Sequence, residues 1–317
     1  MRRLAFPLIA ILALTAAACG GTEVSPDTEP LPAASEAPAQ AAAPAVAAAP
    51  SAPDPAPAAS SGAESEFKGG VFRRLWADPP TLDPHLTGDT TSAGIVVEVF
   101  SGLVALNTDL ELVPDIAERW EIDSSGTVYT FFLRDNVKFH NGKRVTAHDF
   151  KWSVERASLP NTASAVVDTY LNDIVGFEDY FESRADEITG IKVIDDLTLQ
   201  ITIDAAKAYF LAKLTYPTAY VLDREVVEAG GRNWWVENAV GTGPFKLAEY
   251  RIGERIVLER NADFYRDRPS VDRVVMNLAG GQSMAMYEND EIDITGVGLF
   301  DLARVLDPAS ELNAQLV

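Results

Sequence analysis

The stretch NVKFHNGKRVTAHDFKWSVER, residues 136–156, carries two of the chain's three histidines and sets His148 directly before Asp149. Two readings compete: a catalytic acid–base pair, or the start of a helix. Thr146 followed three positions later by Asp149 has the layout of a helix cap. The threonine side chain accepts from a first-turn amide, and the acid sits near the positive helix end. Phe150, Trp152, Ser153 and Val154 give the helix that follows an apolar side, and Asn141-Gly142 before it signals a turn. Neighbours i and i+1 on a helix point about 100° apart, so His148 and Asp149 do not face each other as a dyad. The stretch reads as turn, cap and helix.

Outward from it, the pattern alternates between strands and helices. TVYTFFLR (127–134) is β-branched and aromatic and reads as a strand. GIKVIDDLTLQITI (190–203) reads as a hairpin about Asp195-Asp196, and GPFKLAEYRIGERIVLERN (243–261) as a second one turning at Gly253. GGVFRRLW (69–76) and VDRVVMNLA (271–279) read as further strands, with DPPTLDPH (78–85) a proline-stiffened loop. SAGIVVEVFSGL (92–103), AYFLAKL (208–214) and DREVVEAGG (223–231) read as helices, the last stopped by Gly230 and Gly231. SMAMYENDEIDITGV (283–297) reads as a helix running into a short strand. The fold class is mixed α/β, with no internal repeat.

The N-terminal end has a different composition. MRRLAFPLIAILALTAAAC has two arginines, an apolar run from Leu4 to Leu14 and small residues before Cys19, the layout of a secretory signal over residues 1–19. The run is shorter than the roughly 18 residues a membrane span needs, and no later segment is long and apolar enough either. AAAC resembles the bacterial lipobox, in which the cysteine is diacylated and becomes the mature N-terminus; Ala16 stands where leucine is usual. Cys19 is the chain's single cysteine, so it forms no internal disulfide, and it is the expected lipidation site and bilayer contact. Residues 20–66 read as a linker. Of the 30 residues 31–60, 22 are Ala or Pro and none is aromatic, which favours an extended tether over a packed core. Its reach is on the order of 100 Å. The net charge of −21 becomes −23 on loss of Arg2 and Arg3, which excludes nucleic acid as a partner.

YTFFLRDNVKFHNGKRVTAHDFKWSVER (129–156) resembles the signature of the extracellular solute-binding proteins of family 5, the peptide-binding receptors of ABC importers. TLDPH (81–85), LVPDIAERWEI (112–122), GTGPFKLAEY (241–250), RIVLERNADFY (255–265) and YENDEIDI (287–294) follow the family order. The resemblance covers about residues 69–296. It implies a periplasmic-binding-protein-like first lobe within 67–317, with an α/β subdomain inserted at about 101–223. Phe67 to Phe100 and the chain from Arg224 onward are expected to build the lobe's main sheet. ELNAQLV (311–317) falls where the polypeptide crosses into the second lobe, so that lobe and the returning C-terminal strand are expected to be missing. Half a clamshell exposes a cleft but does not close it.

The resemblance also picks out the site. The loop Thr87–Thr90 lines the family's cleft, and peptide binders often carry an acid where this chain has Gly88. Asp89 beside it is the candidate acceptor for a ligand ammonium, with Thr90 next to it. Val166 matches a position where some relatives have an aromatic, and Tyr216 offers a face plus a hydroxyl. The expected ligand set is Asp89, Thr90, Val166 and Tyr216. Trp234-Trp235 reads as core rather than a stacking pair, and Gly241-Thr242-Gly243-Pro244 as backbone geometry rather than a phosphate loop. GQSMA (281–285) only partly resembles a nucleophile elbow and has no base near it. The three histidines lack metal-site spacing.

The expected protein is therefore a lipid-anchored, monomeric receptor of the cell envelope, on its periplasmic or extracellular face, capturing a peptide or similar small solute for an ABC permease. It is not an enzyme and takes no cofactor or metal. Within the same family the ligand is alternatively a sugar, a nickel chelate or haem. A different class of reading is a single-lobe interaction or scaffold lipoprotein.

Overall fold

The computed structural model describes residues 69–317. The signal at 1–19 with Cys19 and the linker at 20–66 lie outside the described residues. Among the described residues ten strands are present: β1 (Val71–Leu75), β2 (Val104–Leu106), β3 (Leu112–Pro114), β4 (Ala117–Ile122), β5 (Val128–Leu133), β6 (Ile191–Asp195), β7 (Thr198–Thr202), β8 (Phe245–Arg251), β9 (Arg255–Arg260) and β10 (Arg273–Asn277). Among the described residues the helices are α1 (Thr90–Val99), α2 (Ala147–Ser158), α3 (Val167–Leu171), α4 (Phe177–Phe181), α5 (Phe210–Lys213), α6 (Arg224–Gly230), α7 (Trp234–Asn238), α8 (Ser283–Glu288) and α9 (Leu302–Val305). None is long and apolar enough to cross a membrane.

Two four-stranded sheets organise these elements. The first has the order β1-β10-β9-β8, with β1 parallel to β10 and the other pairs antiparallel. Val71 pairs with Arg273, so this sheet joins the start of the described residues to a strand about 200 positions later. The second, β4-β5-β7-β6, is antiparallel throughout and is built entirely from residues between α1 and β8. β2 and β3 form a separate hairpin.

Each sheet has its own core. Alternation along β5 buries Tyr129, Phe131 and Leu133, which meet Leu199 and Ile201 of β7 and Phe150, Val154 and Ala157 of α2. In the first sheet Ile256, Leu258 and Met276 pack with Ile95, Val96 and Val99 of α1 and with Trp234 and Trp235 of α7. The two tryptophans are buried, as core readings require.

Several boundaries differ from the sequence reading, each for a local reason. The helix read from Ser92 starts at Thr90, because Asp89 accepts the Ser92 amide at 2.8 Å and caps it, and it stops at Val99. The β6–β7 turn falls at Asp196-Leu197: the Asp195 carboxylate takes the Leu197 amide at 2.8 Å and stays in the strand. AYFLAKL gives a single helical turn, Phe210–Lys213. The strand expected after α8 does not form. There the Asp293 carboxylate, in place of a carbonyl, takes the Arg73 amide at 2.6 Å, while the Asp293 amide donates to the Arg73 carbonyl at 2.8 Å.

The opening stretch folds as a cap. Asp149 Oδ2 accepts the Thr146 amide and hydroxyl, both at 2.8 Å. The hydroxyl thus donates to the acid. His148 points away: its side chain is 70% exposed and stands 3.9 Å from Asp196 across the β6–β7 turn.

Candidate functional site

Residues 81–90 reach the surface from a buried anchor. The Thr81 hydroxyl accepts the Asp83 amide at 3.0 Å, Pro84 opens a single tight turn, and Asp83 caps it through the His85 amide at 3.0 Å. The Asp83 carboxylate is buried and also accepts Arg156 Nη2 at 2.5 Å, Arg156 Nη1 at 3.1 Å and Trp234 Nε1 at 3.0 Å. Burial opposes its charge, but Arg156, His85 and Trp234 hold the carboxyl below the usual range. His85 receives Arg156 Nη1 on Nδ1 at 2.8 Å, so its Nε2–H donates to the Tyr220 carbonyl at 3.0 Å. Burial, then the charge of Arg156, lowers its pKa to about 4 and keeps it neutral. Three distant residues, Arg156, Tyr220 and Trp234, thus fix where the loop emerges.

The loop emerges as a wall. Thr87 is buried, Gly88 and Thr90 are exposed, and Asp89 lies between. Asp89 Oδ1 is committed to the Ser92 amide, whereas Oδ2 makes no hydrogen bond among the described residues. A side-chain carbon added at Gly88 would sit 3.5 Å from Val166 Cγ1, in ordinary contact. The Tyr216 hydroxyl reaches the Thr87 carbonyl at 3.4 Å. Burial, then Tyr170 and Asp89, raises the Tyr216 pKa. The structure therefore brings Asp89, Val166 and Tyr216 to one surface, with Thr90 opening α1 beside them.

Sequence reasoning missed Tyr170. Its ring stacks on Tyr216 with centroids 3.8 Å apart and planes at 11°, a contact worth about 0.5–1.5 kcal/mol. Its position four residues after Val166, at the far end of α3, is the signal that was available. Together these groups offer a carboxylate oxygen, a hydroxyl and an aromatic face along exposed backbone.

The remaining motifs have structural employment. His140 accepts the Gly241 amide on Nδ1 at 3.2 Å, and its Nε2–H donates to the Gly243 carbonyl at 3.0 Å. Burial lowers its pKa to about 4. The two glycines lie against the last turn of α1. A side-chain carbon at Gly241 would meet the Val99 carbonyl at 1.9 Å and one at Gly243 the Glu98 carbonyl at 2.5 Å, so close backbone approach explains the GTGP run. Ser283 begins α8 and is bonded to no histidine among the described residues. No group of three or more His, Cys, Asp or Glu suited to a metal occurs among the described residues.

The described residues form a mixed α/β lobe in which Asp89, Val166 and Tyr216 meet on one surface of its connecting segments. Residues 111–312 match the bacterial extracellular solute-binding proteins, family 5 (middle portion), and the chain belongs to this family. It is 31% identical over 242 residues to the periplasmic oligopeptide-binding protein OppA of Salmonella typhimurium, covering 74% of this chain and 44% of that protein. It is 32% identical to the probable deoxycholate-binding periplasmic protein YgiS of Escherichia coli, covering 72% of this chain and 44% of that one. Among solved structures it resembles the oligopeptide-binding OppAIV of Borrelia burgdorferi at 35% identity and a TM-score of 0.66, over 70% of this chain and 46% of that one. It also resembles Haemophilus influenzae OppA in complex with RPPGFSPFR at 27% identity and a TM-score of 0.68, over 75% and 48%. The chain therefore spans somewhat under half the length of the relatives it matches.

Proposed function

We propose that this protein is the substrate-binding component of an ABC importer, lipid-anchored through Cys19, and that it captures a peptide or similar small solute against the wall formed by Asp89, Thr90, Val166 and Tyr216. The observation that carries this reading is the convergence of Thr87–Asp89, Val166 and the Tyr170–Tyr216 stack on one surface of a family 5 lobe. Asp89 Oδ2 takes the ligand's ammonium or amide, and the stacked tyrosines cover its apolar part. The lobe comprises residues 67–317, with about 101–223 as its inserted subdomain and 20–66 as a tether to the membrane on the periplasmic or extracellular face. The protein works as a monomer, and transport requires a second wall as well as the permease. Binding is non-covalent throughout.

The test is to purify the protein from a bacterial envelope and identify what it carries. Mass spectrometry of the denatured extract is expected to show peptides with the wild type and none with an Asp89→Asn, Tyr216→Ala double variant. The same small molecules from both preparations would contradict the assignment of the wall. The deoxycholate-binding relative supports a second outcome, a steroid-like ligand on the same wall, which the same extract would reveal. Lipidation is read from the mass of the N-terminal fragment, with Cys19→Ser expected to release the protein from the membrane fraction.

A further inference from the structure

The far end of α1 carries a second feature that peptide capture does not use. Its last turn borders a cavity of about 590 Å³, within the size range of small-molecule sites. Phe100, Phe245, Phe264 and Leu106 give it an apolar wall, and among the polar residues that line it are Glu98, Asp115 and Tyr220. With ten residues in α1, it lies about 15 Å along the helix from Asp89.

The polar groups are incompletely satisfied. The Glu98 carboxylate makes no hydrogen bond or ion pair among the described residues. It sits in the last helical turn, where the helix dipole opposes a negative charge. Arg74 acts on it from a distance, and that guanidinium lies over the Trp76 ring at 4.1 Å. Asp115, 5% exposed, uses Oδ1 for the Tyr265 hydroxyl at 2.7 Å and Arg266 Nη1 at 3.1 Å, leaving Oδ2 without a partner. Tyr220 is 7% exposed, yet its hydroxyl forms no hydrogen bond among the described residues. Burial, then Asp115 and Glu98, raises its pKa, which places the phenol in the field of both acids.

We propose that this cavity is a second binding site, taking a small organic ammonium compound whose charged head meets Glu98, Asp115 and Tyr220 and whose aromatic or branched aliphatic body lies on the phenylalanines. An ammonium brings three donors and no acceptor, which matches one free oxygen from each carboxylate and a phenol oxygen. Aromatic rings around it add cation–π attraction. Asp267 at the lining adds negative charge, and Arg266 is already paired with Asp115. A neutral alcohol of the same shape would bring no charge to the unpaired Glu98 carboxylate, and a carboxylate would be repelled by it. A hard divalent cation asks for six or more oxygen ligands, and no carboxylate cluster suited to a metal occurs among the described residues.

The test is calorimetric titration of the purified protein at pH 7 with 2-phenylethylamine, and with 2-phenylethanol and phenylacetate as controls. Saturable one-to-one binding of the amine is expected, at least about tenfold tighter than of the alcohol, with none of phenylacetate. Glu98→Gln should weaken the amine at least tenfold, Tyr220→Phe severalfold, and Asp89→Asn not at all. Leu106→Trp at the partly exposed mouth should block binding while leaving the melting temperature in place. No saturable amine binding, equal affinity for the alcohol, or loss through Asp89→Asn in place of Glu98→Gln would each overturn the proposal.

Discussion

Helix α1 has an acid at each end, and the two are treated in opposite ways. Asp89 caps the N-terminus, where the dipole favours it and the Ser92 amide binds it. Glu98 sits in the last turn, where the dipole disfavours it, and burial holds its carboxyl above the usual range. Each end also has a neutral histidine beside it, the buried His85 with Asp83 and Arg156 and the half-buried His140 with Gly241 and Gly243. The histidines are alike in charge, while one acid stabilises its end and the other costs stability. An acid retained at such a cost is where a ligand role is worth seeking.

The sharpest way to break the comparison is to remove a partner of one histidine. Asp83→Ala leaves the Arg156 guanidinium largely buried beside a neutral hole and strips bonds from His85 and Trp234. A loss of about 3–5 kcal/mol in urea denaturation is expected. Peptide binding at the N-terminal wall should fall with it.

Acid loads both histidines at once. His85 and His140 titrate at about 4 in the folded protein against an ordinary value of 6.5. The unfolded chain therefore binds protons first as the pH drops, so the stability these residues supply is complete above about pH 6.5 and is lost progressively towards pH 4. Each histidine accounts for up to about 3 kcal/mol of that fall. Denaturation curves at pH 7, 5.5 and 4.5 should show it, and His140→Gln should flatten it by roughly half.

The smallest effects have opposite signs and test the two acids directly. Asp89→Ala should cost about 1 kcal/mol through the lost cap. Glu98→Gln should stabilise by about 0.3–1 kcal/mol at pH 7, the size of a charge at a helix end. Because the Glu98 carboxyl is raised, its cost is present when it is ionised and disappears as the pH falls through its folded value. The gain from Glu98→Gln should therefore shrink at low pH. A thermal-melt series over both variants is enough to see the crossing.

Local chemistry explains what the sequence made legible. The capping pair Thr146 and Asp149, the alternation along 127–134 and the turn at Gly253 act within a few residues, and each appears where it was expected. The order of family motifs carried the fold class. Long-range pairing was not legible. Nothing near Asp83 announces Arg156, 73 positions away, or Trp234, 151 away. Asp89 reads in the sequence as a ligand acceptor, yet it is also a helix cap, with one oxygen to spare. Tyr170 escaped notice because a tyrosine on a short helix is ordinary core until its stacking partner is known. Glu98 looked like any polar helix residue, since only the tertiary fold turns it into a cavity.

The central claim is that the N-terminal end of α1 is the ligand wall. Its most direct test is a nuclear magnetic resonance titration of isotope-labelled protein with trialanine, reading amide shifts residue by residue. The account predicts shifts concentrated at Gly88, Asp89, Thr90, Val166 and Tyr216 and abolished by Tyr216→Ala. Shifts gathered at Glu98 and Tyr220 instead, or unchanged by Tyr216→Ala, would contradict it.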